Sequence, residues 1–99
     1  MLHLHYEQQV LNFLDYLKFE KRYSQHTVIS YETDLVQFFT FLEKEFEAPL
    51  LPNISSPIVR TWLATLKENN TAAKTIHRKA SALKSFFRYL LRKKIVEQS

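Results

Sequence analysis

The stretch Thr71-Ala72-Ala73-Lys74-Thr75-Ile76-His77-Arg78-Lys79-Ala80-Ser81-Ala82-Leu83-Lys84-Ser85-Phe86-Phe87-Arg88-Tyr89-Leu90-Leu91-Arg92-Lys93-Lys94 reads as one long amphipathic helix. Ile76, Ala80, Leu83, Phe87, Leu90 and Leu91 recur at spacings of three and four, the pattern of a helix buried along one side. Thr71 is the expected N-cap, because its hydroxyl can accept from the free N–H groups of the first turn, and the helix is predicted over about 72–94. The same stretch holds eight basic residues (Lys74, Arg78, Lys79, Lys84, Arg88, Arg92, Lys93, Lys94) and no acidic one. The whole chain has 14 Lys and Arg against 10 Asp and Glu, so its positive excess is confined to this helix.

Upstream, Asn69-Asn70 interrupts the pattern, asparagine being the best substitute for glycine in a left-handed turn. Ser56 followed by Pro57 reads as an N-cap with proline at the first helical position, where its missing N–H costs nothing. A helix over about 57–67 follows, burying Ile58 or Val59 with Trp62, Leu63 and Leu66. Ala48-Pro49-Leu50-Leu51-Pro52-Asn53 cannot be helical, since each proline lacks a donor and disfavours helix in the residue before it. Before that connector, Ser24 caps a helix predicted over about 25–46. Its buried stripe is Tyr31, Leu35, Phe38, Leu42 and Phe46, flanked by Val28 and Phe39. The first helix, about 4–22, buries Tyr6, Val10, Phe13, Leu14 and Leu17. No strand-like alternation or internal repeat is evident, so the expected fold is all-α, a compact bundle of four amphipathic helices.

Composition bounds the function. The chain has 99 residues, about one domain, with 45% hydrophobic and 24% charged residues, which is a globular composition. Without cysteine there is no disulfide, zinc–thiolate site or cysteine nucleophile, and a reducing, cytoplasmic setting fits. Glu7 and Asp15 interrupt the first apolar segment, so no secretory leader is expected, and no apolar run reaches the roughly 20 residues of a membrane span. The absence of glycine argues against phosphate-cradling loops. His3-x-His5 resembles a metal pair, but no further ligand lies nearby and the terminus is expected to fray, so no metal or cofactor is expected. None of the five tyrosines is surrounded by the cations that a phosphoryl-transfer nucleophile requires, so no catalytic residue is assigned.

The helical wheel refines the charge pattern. With Ile76 at the centre of the buried side and about 100° per residue, Lys74, His77, Arg78, Ser81, Lys84, Ser85, Arg88 and Arg92 fall outside, and Lys79 nearer the core boundary. Such a face can neutralise phosphates and offer short hydrogen-bonding groups to base edges. On the second helix the outward residues are His26, Ile29, Ser30, Thr33, Gln37 and Thr40, none charged, with Glu32 and Asp34 to either side. A solvated basic face without a partner, or one that docks an acidic protein, fits the charge pattern as well.

Two motifs separate these readings. Ser24-Gln25-His26-Thr27-Val28-Ile29-Ser30-Tyr31-Glu32-Thr33-Asp34-Leu35 resembles the S-x-x-T-x-x-x-Y-x-x-D-L opening of helix two in Xer-like tyrosine recombinases and phage integrases. Lys74 to Leu90 is similar to that family's helix four, usually ending L-S-A-L-[KR]-S-F-[FY]-x-[YW]-L. The resemblance, from about Tyr6 to Val96, implies a SAM-like core-binding domain over 1–96. It also implies an interdomain linker beginning at 97–99 and a catalytic domain that this chain lacks, so the chain itself is not an enzyme. The implied partners are double-stranded DNA, the catalytic domain of the parent chain and recombinase protomers on DNA, with no membrane. Carried over position by position, the implied DNA contacts are His26, Thr27 and Ser30 on helix two and Lys74, Thr75, His77, Arg78, Ser81 and Lys84 on helix four. The chain departs from the family in two places: Asn69-Asn70-Thr71 stands where glycine and a capping serine are usual, and Ala80 replaces a larger aliphatic.

Overall fold

The structure, a computed structural model, describes residues 2–96. It is all-α. The helices are α1 (Glu7–Asp15), α2 (Gln25–Glu45), α3 (Ser56–Glu68) and α4 (Ala73–Arg92), with a π-helical turn at Tyr16–Glu20 and a 3-10 turn at Leu51–Asn53. No strand occurs among the described residues, and no helix there is long and apolar enough to cross a membrane. The linker expected at 97–99 lies outside the described residues. The chain divides into two compact units, 1–49 and 50–99.

In the first unit α1 packs on α2. The expected stripes hold on both helices: Tyr6, Val10, Phe13, Leu14 and Leu17 are buried, as are Leu35, Phe38, Phe39 and Leu42. The rings of Tyr6 and Phe39 lie 4.4 Å apart, and Phe38 meets Phe39 edge-on at 5.1 Å. The stripe of α2 fades at its ends, where Tyr31 is half-buried and Phe46 is exposed. The first helix is shorter than 4–22. It begins at Glu7, and its last turn widens, with the Lys21 N–H reaching back five residues to the Tyr16 carbonyl at 3.0 Å. Arg22 then takes a left-handed φ of 57° that ends the helix.

The amino-terminal segment is not frayed. The His3 N–H donates to Glu43 Oε2 at 2.9 Å, the His5 Nδ1 lies 2.9 Å from the Ala48 carbonyl, and the Tyr6 hydroxyl donates to the Pro49 carbonyl. These bonds tie residues 3–6 to the end of α2, where Glu47 and Ala48 adopt left-handed φ of 57° and 49°. Burial first, and then the Glu43 carboxylate, push the Tyr6 phenol up to about 12. The unfolded chain releases this proton near the ordinary phenol value of 10.0 while the folded chain holds it to about 12. The stabilisation is therefore complete below pH 10 and is lost as pH rises through that window. Tyr6→Phe is expected to cost about 1 kcal/mol at neutral pH, from the lost hydrogen bond, and to flatten the alkaline decline. Urea unfolding at a series of alkaline pH values reads both effects.

In the second unit α3 packs on α4. Asn70 takes the expected left-handed turn, with φ 65°. Two caps shift by a residue. Ser55, not Ser56, is the N-cap of α3, which puts Pro57 in the first turn but not at its first position. Ala72, not Thr71, is the N-cap of α4 and makes no side-chain bond. On α3 only Trp62 is buried; Ile58, Val59, Leu63 and Leu66, expected inside, are half-buried. On α4 the buried residues are Lys79, Ala82, Leu83, Phe86, Tyr89 and Leu90. Of the expected stripe only Leu83 and Leu90 are fully inside, whereas Ile76, Ala80 and Phe87 are half-buried and Leu91 is 38% exposed. At about 100° per residue the core arc is turned by roughly a quarter of a circle from its expected centre at Ile76. The helix carries apolar residues on two adjacent arcs, and the one with two large aromatics, Phe86 and Tyr89, takes the interior while Phe87 lies on the other.

Candidate nucleic-acid interface

The start of α2 is organised by Ser24. With extended backbone at φ −63°, ψ 157°, it accepts from the Thr27 N–H at 3.2 Å, and the two hydroxyls lie 3.0 Å apart. The cap therefore constrains Thr27, one of the expected contact residues, and leaves it exposed beside exposed His26. Ser30, one turn on, is half-buried. Thr33, Gln37 and Thr40 continue the exposed row. The acidic flank is weaker than expected, because Asp34, placed beside this face by the wheel, is 1% exposed and belongs to the interior; only Glu32 remains outside.

Three cations outside the expected contact set precede this turn in the chain. Lys18, Lys21 and Arg22 are exposed in the segment leading into Ser24, and Lys18 Nζ sits 5.2 Å from the centre of the Phe19 ring, which is itself 65% exposed. The signal was present in the local run Lys18-Phe19-Glu20-Lys21-Arg22-Tyr23, but the concentration of charge in helix four obscured it.

On α4, Lys74, His77, Arg78, Ser81 and Lys84 are exposed, and Arg88 and Arg92 extend the row. Thr75 lies at the edge of this face, half-buried. Lys79 is 5% exposed, on the core side where the wheel put it. The outward face survives the rotation of the core because it spans more than a third of the helix circumference. The expected contacts thus fall into two groups, one around the first turns of α2 in the first unit and one along α4 in the second.

No group of three His, Asp or Glu side chains able to hold a metal ion occurs among the described residues. In the metal-like pair, the His3 Nδ1 accepts from the His5 N–H at 3.0 Å and the His5 Nδ1 lies 2.9 Å from the Ala48 carbonyl.

The family of the phage integrase N-terminal SAM-like domain matches residues 10–94. Among similar proteins, tyrosine recombinase XerC of Halalkalibacterium halodurans is 41% identical over 93 residues, covering 94% of this chain and 30% of its own length. Tyrosine recombinase XerC of Anoxybacillus flavithermus is 39% identical over 87 residues, covering 88% of this chain and 29% of its own. Tyrosine recombinase XerD of Rickettsia bellii is 34% identical over 82 residues, covering 83% and 26%. The chain thus spans under a third of the length of these relatives. No solved structure matches it.

Proposed function

The chain belongs to the phage integrase N-terminal SAM-like family, and from that premise we propose that it is the core-binding module of a tyrosine recombinase, gripping duplex DNA for strand exchange carried out by a separate catalytic domain. Residues 1–96 form this module. The supporting observation is the exposed face of α4, with Lys74, Arg78, Lys84, Arg88 and Arg92 interleaved with His77 and Ser81 and no carboxylate anywhere in the helix. The cations neutralise phosphates, and His77, Ser81 and Thr75 are short enough to reach base edges once the backbone contacts have set the register.

The capped start of α2 supplies the second contact group. His26, Thr27 and Ser30 approach phosphate without a carboxylate between them, and Lys18, Lys21 and Arg22 add positive charge at the same end of the helix. The partners in this reading are double-stranded DNA, the catalytic domain and neighbouring recombinase protomers on the DNA. The chemistry of strand cleavage lies on the catalytic domain, so the isolated chain binds and does not cut.

Titration of labelled duplex at several salt concentrations tests the proposal. Each phosphate contact contributes a slope of about −0.9 in log K against log salt, so several contacts give a steep line. A flat line would show that the basic face serves something other than DNA.

A further inference from the structure

The second unit keeps an unfilled groove. Ile54, Val59, Leu63, Ala80, Phe87 and Leu91 form its floor, between α3 and α4, and it encloses about 520 Å³ while remaining open to solvent on one side. Arg60, Lys84 and Arg88 stand along it, and none of the residues lining it is a carboxylate. This groove is the reason the apolar pattern of α4 misplaced the core: Ala80, Phe87 and Leu91 carry the period of a buried stripe but face the groove. It accounts for the half-buried state of Val59 and Leu63 on α3 as well.

We propose that this groove docks an acidic amphipathic helix from a separate protein, its large apolar side chains on the floor and its carboxylates on Arg60, Lys84 and Arg88. The chemistry of the surface selects this occupant. DNA can use the cations but has nothing to place on an apolar floor. A compact ligand site would converge polar groups on the interior, whereas here the polar groups stand along the groove. An apolar channel between two helices with charge at its edges is the form that receives a helix through residues spaced three and four apart. The three cations, partly removed from water once the floor is covered, require opposite charge to keep them company. A second copy of this chain would have to turn its own basic α4 away from the groove, since two such helices repel each other. The proposal stands apart from the DNA reading. Lys84 and Arg88 belong to both surfaces, but Arg60 lies on α3 and has no part in the DNA face.

The test uses the whole chain and two designed, fluorescein-labelled helices with the same leucine row, one flanked by glutamate and the other by lysine. Anisotropy is expected to show saturable binding of the glutamate helix and affinity lower by about tenfold or more for the lysine helix. Arg60→Glu, an exposed position whose folding is checked by circular dichroism, is expected to weaken the glutamate helix by a similar factor while DNA titration is unchanged. Equal binding of the two helices, or indifference to Arg60→Glu, overturns the proposal. Sedimentation showing a dimer that Arg60→Glu abolishes also overturns it, by giving the groove to a second copy.

Discussion

Phe39→Ala is expected to lower stability by about 3–5 kcal/mol, the range for deleting a fully buried aromatic ring that leaves a cavity behind. Phe39 is completely buried and touches two other aromatics, Tyr6 at 4.4 Å and Phe38 at 5.1 Å between ring centres. Small domains hold only about 5–15 kcal/mol in total, so this one change removes much of the margin. Tyr6 also anchors the amino-terminal segment through Pro49, so loss of the ring beneath it loosens that tie too. Urea unfolding should show a lower midpoint with little change in slope. Leu4→Ala, at a position 82% exposed, should shift the midpoint by no more than about 0.5 kcal/mol, and that pair of results separates the core from the apolar surface. Phe39→Ala and Tyr6→Phe touch the same contact, so their combined effect should differ from the sum of the two.

How far such a core can be read from sequence depended on what each helix had to hide. On α2 the apolar residues occupy one arc, and Leu35, Phe38 and Leu42 are buried where the period put them. On α4 the apolar residues occupy two neighbouring arcs, one interior and one lining the groove, and periodicity does not distinguish them. The number of rings gave a clue, since two large aromatics, Phe86 and Tyr89, lie off the expected stripe against one, Phe87, on it. Buried charge was legible for Lys79, which the wheel put at the core boundary, and not for Asp34, because an acidic residue beside a polar face reads as surface unless its surroundings are known. The cap of α2 was readable since Ser24 bonds the Thr27 N–H, a local interaction. The caps of α3 and α4 make no side-chain bond, so nothing local fixes which of two adjacent residues begins the helix. Residues 3–6 were out of reach for a different reason: their partners, Glu43, Ala48 and Pro49, lie some forty positions away. On α4 the basic face lies far enough from both arcs that its candidate contacts, Thr75 apart, are exposed although the buried arc is not where the period put it.

The double substitution Lys74→Glu with Lys84→Glu bears most directly on function. Both lysines are exposed on α4, so the fold should survive. If each makes one charge-assisted phosphate contact worth at least about 1.5 kcal/mol, losing both costs about 3 kcal/mol, on the order of a hundredfold in affinity at low salt. Reversal of charge adds repulsion from the phosphates to that loss, and so the effect should exceed that of the double alanine variant. The slope of log K against log salt should become shallower by about 1.8, two contacts' share, so the variant and the parent should converge as salt is raised. His77→Ala supplies the contrast. A base-edge contact changes discrimination between duplex sequences by about 1–3 kcal/mol and leaves the salt slope almost unchanged. Lysines that weaken all duplexes alike, together with a histidine that weakens some more than others, would divide α4 into a backbone-gripping and a base-reading part. Loss of binding without any change in salt slope would remove the phosphates from the account of this helix.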